Sequence, residues 1–504
     1  MDVRKSKLNV SVSVAFKVAT MFLAIVVKRL LIHICGNEVN GLNALFISII
    51  GFLSVAELGV GSAITFCMYK PIVEGDTDKV GALYQLFRKF YLIVGAVIFI
   101  SGLLLLPFIK VFTKDYDVLE VNVYVTFFLI LVSVVSTYLF SAKTSLINAY
   151  KNNYITTAIS QGGVVLQNIL QIVALLVTGS FVWYLVCRIV TVSLQYVVTE
   201  IIVRVKHGEI IVNKSKIDAE TKVTLKKSVT AMFMHKVGYI LVNTVDSVVI
   251  SAFVGVVALG EYSNYTTILS SMVGIITLVF TSLTSVIGHL CVEEDSETAK
   301  KYCECFHLLN FIIGTVFFLG YYAVIDNVIS LLFSPDLVVS KSVSFVITLN
   351  GFVQFMRRST LTFRDATGTF YSDRWKPLIE GVVNIVLSIL LVKLVGVTGV
   401  IIATIVTNLL ICHVIEPYVL YKNAFSISPR RYYFTNYIMI SVFTVALAAL
   451  NLCLRNFSNE FTELIVNGCI SVAVSLATCL FVVGFNSETT KNIRLLFKKK
   501  QNKQ

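Results

Sequence analysis

The sequence predicts an all-α polytopic membrane protein with about fourteen transmembrane helices. Of its 504 residues, 56% are hydrophobic and only 14% are charged, whereas a soluble globular domain carries about 25% charged residues. Apolar runs of about 20 residues, the length at which a helix crosses the hydrocarbon core, follow one another along the chain. Because only 6 prolines are present, we expect long helices and no sizeable soluble domain.

The distribution of basic residues predicts the orientation of the chain. Most of the 42 lysines and arginines lie at the two termini and in alternate loops, which is typical of the cytoplasmic side. The opposite loops hold only Lys110, Lys114, Lys341, Lys393 and Arg455. Both termini are therefore predicted to be cytoplasmic. This topology accounts for the net charge of +13, so the charge does not indicate a nucleic-acid partner.

An internal repeat predicts two pseudo-symmetric halves. Residues in corresponding topological places recur at one nearly constant offset: Gly36 and Gly255, Gly41 and Gly260, Asp76 and Asp295, Lys17 and Lys236. Each repeat unit contains six of the predicted helices. Because six is an even number, both halves begin on the same side of the membrane and are parallel repeats.

The repeat divides the chain into four predicted regions. Residues 1–208 are predicted to form an N-terminal six-helix bundle, and residues 229–425 are predicted to form a C-terminal six-helix bundle. Residues 209–228 are predicted to be a basic cytoplasmic linker. Residues 426–504 fall outside the repeat, and they are predicted to contain two extra helices and a basic cytoplasmic tail.

No signature of catalysis is found in the sequence. It contains no hydrolytic triad, no phosphate-binding P-loop and no metal-ligand spacing. The run at 303–307 combines cysteines, a glutamate and a histidine, but a helix that enters the membrane explains this run better than a metal site. We therefore expect a protein that is not an enzyme and that uses no cofactor and no metal.

A small set of charged residues lies inside the predicted membrane segments, where charges are costly and usually face a cavity or a partner. These residues are Lys17, Lys28, Arg29, Glu57, Arg188, Lys236 and Asp246. Cations outnumber carboxylates in this set. A cationic cavity suits an anionic ligand such as a phosphate or pyrophosphate head group. The candidate substrate-binding residues are Lys17, Arg29, Arg188 and Lys236.

Lys17 and Lys236 are the sharpest candidates, because each begins its half and lies about 10 Å from the cytoplasmic surface. We expect them to receive the anionic head group as a symmetric pair. Asp246 and Glu57 are candidate ion-coupling residues, with a proton or a sodium ion as the coupling ion. Other interpretations stay open: Arg29 and the lysine before it can snorkel to the outer surface, Glu57 can form a pair at the cytoplasmic side, and Asp246 can neutralise a buried cation.

Several stretches of the chain carry patterns typical of one family. They are residues 41–46, 56–63, 69–71, 246–250, 260–265, 363–368, 373–378 and 415–421. In these stretches the chain resembles the polysaccharide flippases, the Wzx-type exporters of O-antigen and capsule. That family belongs to the multidrug/oligosaccharidyl-lipid/polysaccharide exporter (MOP) superfamily. The resemblance covers about residues 1–425 and is silent on the identity of the sugar.

The resemblance implies a V-shaped pair of six-helix bundles around a cation-lined cavity that works by alternating access. It implies transfer of an undecaprenyl-pyrophosphate-linked oligosaccharide across the bacterial inner membrane, for O-antigen, lipopolysaccharide or capsule biosynthesis. A polysaccharide polymerase and glycosyltransferases are candidate protein partners. The two extra helices depart from the usual twelve-helix plan. Relatives that flip the peptidoglycan lipid precursor also carry two extra helices, so that substrate is an alternative.

Two other functions are also open. A cation-coupled multidrug antiporter of the same fold would need an acidic or apolar cavity, which the internal cations disfavour. A non-transporting scaffold for polysaccharide synthesis enzymes would have no need for buried lysines in both halves.

Overall fold

The structure is a computed structural model that describes residues 3–54, 60–114, 119–150, 152–212, 244–369, 372–455, 457 and 459–492. In these ranges all regular secondary structure is helical and no strand occurs, which confirms the predicted all-α fold. The chain forms two compact units, Met1–Ser263 and Asn264–Gln504. The predicted linker at 209–228 lies largely outside the described residues, so the four predicted regions stay a prediction.

The described residues of the first unit are mostly helical. Its elements are α1 (Val3–Cys35), α2 (Asn37–Leu53), α3 (Val60–Glu74), α4 (Thr77–Leu105), α5 (Val123–Ala149), α6 (Asn153–Thr178), α7 (Phe181–Val212), α8 (Thr244–Phe253) and the start of α9 (Val256–Glu293). A 3₁₀ turn, Leu106–Phe112, extends α4.

The second unit contains the rest of α9 and the helices that follow it. These are α10 (Ser296–Leu332), α11 (Lys341–Met356), α12 (Arg358–Thr367), α13 (Lys376–Val395), α14 (Val397–Thr407), α15 (His413–Leu420), α16 (Arg430–Cys453) and α17 (Glu460–Phe485). Two π-helical turns, Asn408–Cys412 and Tyr421–Phe425, stand directly before and after α15.

The helices have the length and surface of membrane-spanning segments. In the described part of the chain, 9 helices are long and apolar enough to cross a membrane, and the chain is a multi-pass membrane protein. The predicted count of about fourteen is consistent with these spans together with shorter apolar helices such as α2 and α8. Large apolar side chains are exposed along them, for example Val177 and Leu452, which are 77% and 84% exposed. Lipid rather than water suits such a surface.

The predicted repeat is visible in the glycines that precede two helices. Gly36 has φ 90° and Gly255 has φ 144°, a backbone conformation that residues with a Cβ rarely adopt. The first directly precedes α2 and the second directly precedes α9. The two halves therefore use the same residue to start the corresponding helix.

Helix caps repeat in the same way. The Asp76 carboxylate caps α4 by accepting a hydrogen bond from the Lys79 N–H at 2.8 Å. The Asp295 carboxylate caps α10 by accepting from two backbone N–H groups, those of Glu297 and Thr298, each at 3.2 Å. Such caps satisfy N–H groups that the first helical turn leaves without partners. Together with the glycines, these caps support two halves with equivalent structure.

The second glycine of each repeated pair makes a reciprocal contact. A Cβ placed on Gly41 would lie 1.9 Å from the backbone oxygen of Val256, and a Cβ placed on Gly260 would lie 2.4 Å from the backbone oxygen of Asn37. The Asn40 amide donates to the Gly260 carbonyl at 3.2 Å. The start of α2 thus packs backbone to backbone on the start of α9, as small residues allow in membrane helices.

Candidate functional site

The structure describes only some of the predicted site residues. Lys17 lies on α1, but its side chain lies outside the described part of the structure. Lys236 and Glu57 lie outside the described residues altogether. The expected lysine pair and the role of Glu57 therefore stay predictions.

Arg29 and Arg188 are the two predicted cations whose side chains are described. Arg29 lies on α1 and is exposed, and Arg188 lies on α7 and is half-buried next to Tyr184. Neither guanidinium forms an ion pair with a carboxylate among the residues that the structure describes. Their expected role as substrate-binding residues stays a prediction.

Lys28 and Asp246 hold different positions in the first unit. The Lys28 ammonium donates to the backbone oxygen and the hydroxyl of Ser263, at 2.7 and 2.9 Å. Lys28 therefore links α1 to α9. Asp246 lies on α8, is only 8% exposed and is close to Tyr262 on α9. Its predicted role in ion coupling is not decided by these contacts.

A buried ionic cluster in the second unit was missed by the sequence analysis. It consists of Arg357, Lys376, Glu380 and Glu416, and we call it the ionic quartet. The Glu416 carboxylate accepts from Arg357 Nη2 at 2.5 Å, from Arg357 Nε at 3.1 Å and from Lys376 Nζ at 2.6 Å. Glu380 lies 2.9 Å from Lys376 and 3.6 Å from Arg357. Lys376, Glu380 and Glu416 are each less than 5% exposed.

The quartet combines two cations and two carboxylates, so it is electrically neutral as a group. Neutrality matters because an uncompensated charge in a low-dielectric interior is strongly unfavourable. Two more side chains complete the cluster: Asn408 accepts from Arg357 Nη1 at 2.6 Å, and Cys412 lies 3.5 Å from Lys376 Nζ. Both belong to the π-helical turn before α15. Such turns occur frequently at functional sites.

One part of the quartet left a signal in the sequence. Lys376 and Glu380 are spaced i, i+4, which places them on one face of a helix. Glu380 and Glu416 also lie inside predicted membrane segments, yet they were not included among the internal charges. Cations outnumber carboxylates among the seven internal charges predicted from the sequence. The quartet adds two cations and two carboxylates to them.

A second ionic group lies beside the quartet and joins the end of α12 to the loop that follows it. Arg364 donates to Asp373 at 2.8 Å and to Asp365 at 3.0 Å. Burial would lower the pKa of Arg364, but the carboxylates of Asp373, Glu416 and Asp365 outweigh it and raise that pKa above its ordinary value. These contacts fix the loop that leads to Lys376.

The described residues contain no group of three or more His, Cys, Asp or Glu side chains that could hold a metal ion. In the 303–307 run, Cys303, Cys305 and His307 are all buried on α10. The Cys305 thiol points to the backbone oxygen of Thr489, at 3.7 Å.

The chain was compared with known families, proteins and structures. No protein-family model and no curated protein matches it. Among solved structures, an inward-facing multidrug resistance MATE family transporter of the MOP superfamily aligns with TM-score 0.62 and 12% identity, over 85% of this chain and 98% of its own. The lipid II flippase MurJ, in an inward closed conformation, aligns with TM-score 0.62 and 15% identity, over 94% of this chain and 98% of its own. A MOP superfamily transporter from Pyrococcus furiosus aligns with TM-score 0.52 and 14% identity, over 88% of this chain and 97% of its own.

These alignments establish the fold. The chain has the architecture of MOP superfamily transporters, shared with MATE proteins and MurJ. The fold is the one that the predicted resemblance implies, whereas neither the superfamily nor the Wzx-type family within it is tested by these structures. Substrate and mechanism must be argued from the residues of this chain.

Proposed function

We propose that the chain is a flippase that moves an undecaprenyl-pyrophosphate-linked oligosaccharide across the bacterial inner membrane, for O-antigen or capsule biosynthesis. The observation that carries this proposal is that two arginines of the first unit have no carboxylate partner among the described residues. Arg29 and Arg188 have no carboxylate ion pair within the described residues, and a pyrophosphate is the type of ligand that guanidinium groups bind well.

The proposed binding residues are Lys17, Lys236, Arg29 and Arg188. We expect the two lysines to receive the head group near the cytoplasmic surface and the two arginines to contact it nearer the outside. Asp246 and Glu57 are the proposed ion-coupling residues. A proton or a sodium ion would then bind where the chain carries an internal carboxylate.

A flippase for the lipid-linked peptidoglycan precursor is the second candidate. The alignment with MurJ extends over 94% of this chain, compared with 85% for the MATE transporter. The larger aligned share favours a fold with two helices after the repeat. In this chain α16 and α17 occupy that position. A multidrug antiporter is less well supported, because cationic drugs are repelled by guanidinium groups that form no ion pair with a described carboxylate.

The substrate can be tested with the purified full-length chain in liposomes. Three fluorescent probes are compared: an undecaprenyl-pyrophosphate-linked oligosaccharide, the lipid-linked peptidoglycan precursor and a cationic dye. We expect transfer of the first probe, measured by its quenching from the opposite leaflet. Arg188→Gln should reduce this transfer, whereas Arg455→Gln in a predicted outer loop is the matched control. Transfer of the peptidoglycan precursor alone, or of the dye alone, would replace the proposal by the corresponding alternative.

The proposed orientation has its own test. Reporter fusions after Lys114 and Arg455 should report the periplasm, and a fusion after Lys500 should report the cytoplasm. This expectation follows from the distribution of basic residues. A periplasmic C-terminus would contradict the fourteen-helix topology.

A further inference from the structure

One face of α6 is polar and open in the half of the helix that begins at the predicted cytoplasmic side. Thr157, Ser160, Gln161, Val164 and Asn168 follow the spacing of a single helix face, and we call them the polar face. Four of these five side chains carry a hydroxyl or a carboxamide. Thr157 and Ser160 are exposed, Gln161 is half-buried and Asn168 is 6% exposed. Neither the proposed phosphate-binding cations nor the ionic quartet gives this face a role.

The side of α6 that suits lipid lies elsewhere on the helix. Ile169, Val173 and Leu176 are 45%, 51% and 64% exposed. With 3.6 residues per turn, this apolar face is rotated by about 130° from the polar face. A carboxamide that faces hydrocarbon is unfavourable, because nothing there can form hydrogen bonds with it. The polar face therefore borders water or a ligand and not the lipid tails.

Hydrogen bonds within the helix do not satisfy the polar face. A short hydroxyl side chain can bond to a backbone oxygen one turn earlier, as Thr178 does with Ala174 at 2.7 Å. No hydrogen bond of this or another kind links Gln161 to the described residues. The Asn168 amide nitrogen is buried and also has no partner in the described part of the chain. Polar groups of this kind need an explanation.

The polar face ends at the level of a proposed phosphate-binding residue. The Cys187 thiol on α7 lies 3.5 Å from the backbone oxygen of Leu170 on α6. Arg188 directly follows Cys187, so its backbone lies level with the turn of α6 that contains Asn168. Thr157, at the other end of the face, is about 16 Å further toward the predicted cytoplasmic side. A ligand held by Arg188 can thus extend along the polar face.

The repeat does not require such a face. The fifth helix of the first half is α6, and the fifth helix of the second half is α13. The exposed side chains of α13 between positions 376 and 392 are apolar: Ile379, Val382, Val386 and Leu390. Its polar side chains Glu380, Asn384 and Ser388 are at most 4% exposed. An open polar face is therefore specific to the first half, and a packing need common to both halves does not explain it.

The chemistry of the polar face suits a neutral ligand that is rich in hydroxyl groups. The face contains no charged side chain. A carboxamide and a hydroxyl can each both donate and accept hydrogen bonds, and sugar hydroxyls do the same. A pyrophosphate only accepts, and it is better matched by guanidinium groups. A cationic drug would be better matched by carboxylates.

We propose that the polar face of α6 binds the sugar of the lipid-linked substrate while Arg188 binds its pyrophosphate. Thr157, Ser160 and Gln161 form the open part of this site, and their side chains bond to sugar hydroxyls. The inference rests on the proposed function, which supplies a substrate that carries a sugar. It requires that the sugar itself adds affinity, and that this added affinity depends on Gln161.

The experiment uses the purified full-length chain in lipid nanodiscs. Dissociation constants are measured for two probes, undecaprenyl pyrophosphate that carries a neutral tetrasaccharide of hexoses and undecaprenyl pyrophosphate without a sugar. We expect the unmodified chain to bind the sugar-bearing probe more tightly. Gln161→Leu should weaken binding of that probe by about three- to tenfold, as expected for the loss of a hydrogen bond, and leave binding of the sugar-free probe unchanged. Ser160→Ala should act in the same direction.

Two further variants provide controls. Thr178→Val removes an exposed hydroxyl from the same helix, outside the polar face, and should change neither constant. Arg188→Gln should weaken binding of both probes, because both carry the pyrophosphate. The unfolding temperature of Gln161→Leu should stay near that of the unmodified chain, since Gln161 has no hydrogen bond to the described residues to lose.

Three results would overturn the inference. They are equal affinity of the unmodified chain for both probes, an equal loss for both probes in Gln161→Leu, and no loss for either probe in that variant. Transfer in liposomes separates this inference from the proposed function. A chain with a Gln161-dependent preference for the sugar that transfers no lipid-linked sugar would disprove only the proposed function. Transfer without such a preference would disprove only this inference.

Discussion

Two sets of internal cations, one in each unit, differ in their partners, although the first unit also pairs one buried lysine, Lys143, with a carboxylate, that of Glu200. In the first unit, Arg29 and Arg188 form no ion pair with a described carboxylate. In the second unit, Arg357 and Lys376 are held between two carboxylates, and the Glu416 carboxylate is only 1% exposed. The same residue types therefore serve two purposes. Cations that protein carboxylates neutralise stabilise a fold, and cations without such a partner remain available to an anionic ligand.

The comparison predicts its largest effect on stability at Glu416. Glu416→Gln removes the charge that neutralises Arg357 and Lys376, and loss of one partner of a buried ion pair costs about 3–5 kcal/mol. The variant should unfold at a clearly lower temperature in detergent. Glu74→Gln is the matched control, since its pair with Lys70 is exposed. Equal unfolding temperatures for both variants would contradict the structural role of the quartet.

A smaller effect is expected at the reciprocal glycine contact. Gly41→Ala places a methyl group against the Val256 backbone, which cannot move away as a flexible side chain would. Overpacking of this type costs about 1–3 kcal/mol. Gly260→Ala should have a similar effect, because the contact is reciprocal.

The control for the glycine contact is Gly162→Ala on α6. No atom lies within 4 Å of a Cβ at that position, so alanine should be neutral or stabilising by up to about 1 kcal/mol through helix propensity. Destabilisation at Gly162 and none at Gly41 would show that the repeated starts of α2 and α9 do not pack as described.

The smallest effect is expected at the exposed pair of Arg431 and Glu488. The hydrogen bond from Arg431 holds the pKa of Glu488 below its ordinary value. A carboxyl group with a lowered pKa in the folded state contributes stability at neutral pH that is lost as the pH falls through that folded-state pKa. Because solvent screens the pair, Glu488→Gln should leave the unfolding temperature at neutral pH nearly unchanged. A large decrease in the unfolding temperature would show that this exposed pair stabilises the fold.

The features of the fold that depend on residues close together in the sequence could be predicted. Helix positions follow from apolar runs, and the helix starts at Gly36 and Asp76 and their repeats follow from backbone geometry and capping, which act over a few residues. The ionic quartet was missed because Arg357 and Glu416 are 59 positions apart along the chain. Only folding brings them together. Lys376 and Glu380 form the local part of the quartet, and their spacing could have indicated it.

The site was less predictable than the fold for a related reason. A charge inside a membrane segment indicates that a partner is needed, but it does not indicate whether that partner is a carboxylate of the chain or a ligand. Lys28 illustrates this point, since its ammonium binds the Ser263 backbone oxygen and hydroxyl. No spacing in the sequence connects Lys28 to Ser263.

The central claim is that the cations of the first unit bind the pyrophosphate of a lipid-linked sugar. The most direct measurement is the transfer of the fluorescent undecaprenyl-pyrophosphate-linked oligosaccharide in liposomes by Arg188→Gln and by the Arg29→Gln, Arg188→Gln double variant. Our account predicts that transfer falls at least about tenfold in the double variant, the loss expected for one charge-assisted hydrogen bond, while the unfolding temperature stays near that of the unmodified chain. Wild-type transfer by the double variant, at equal amounts of folded protein, would contradict the account.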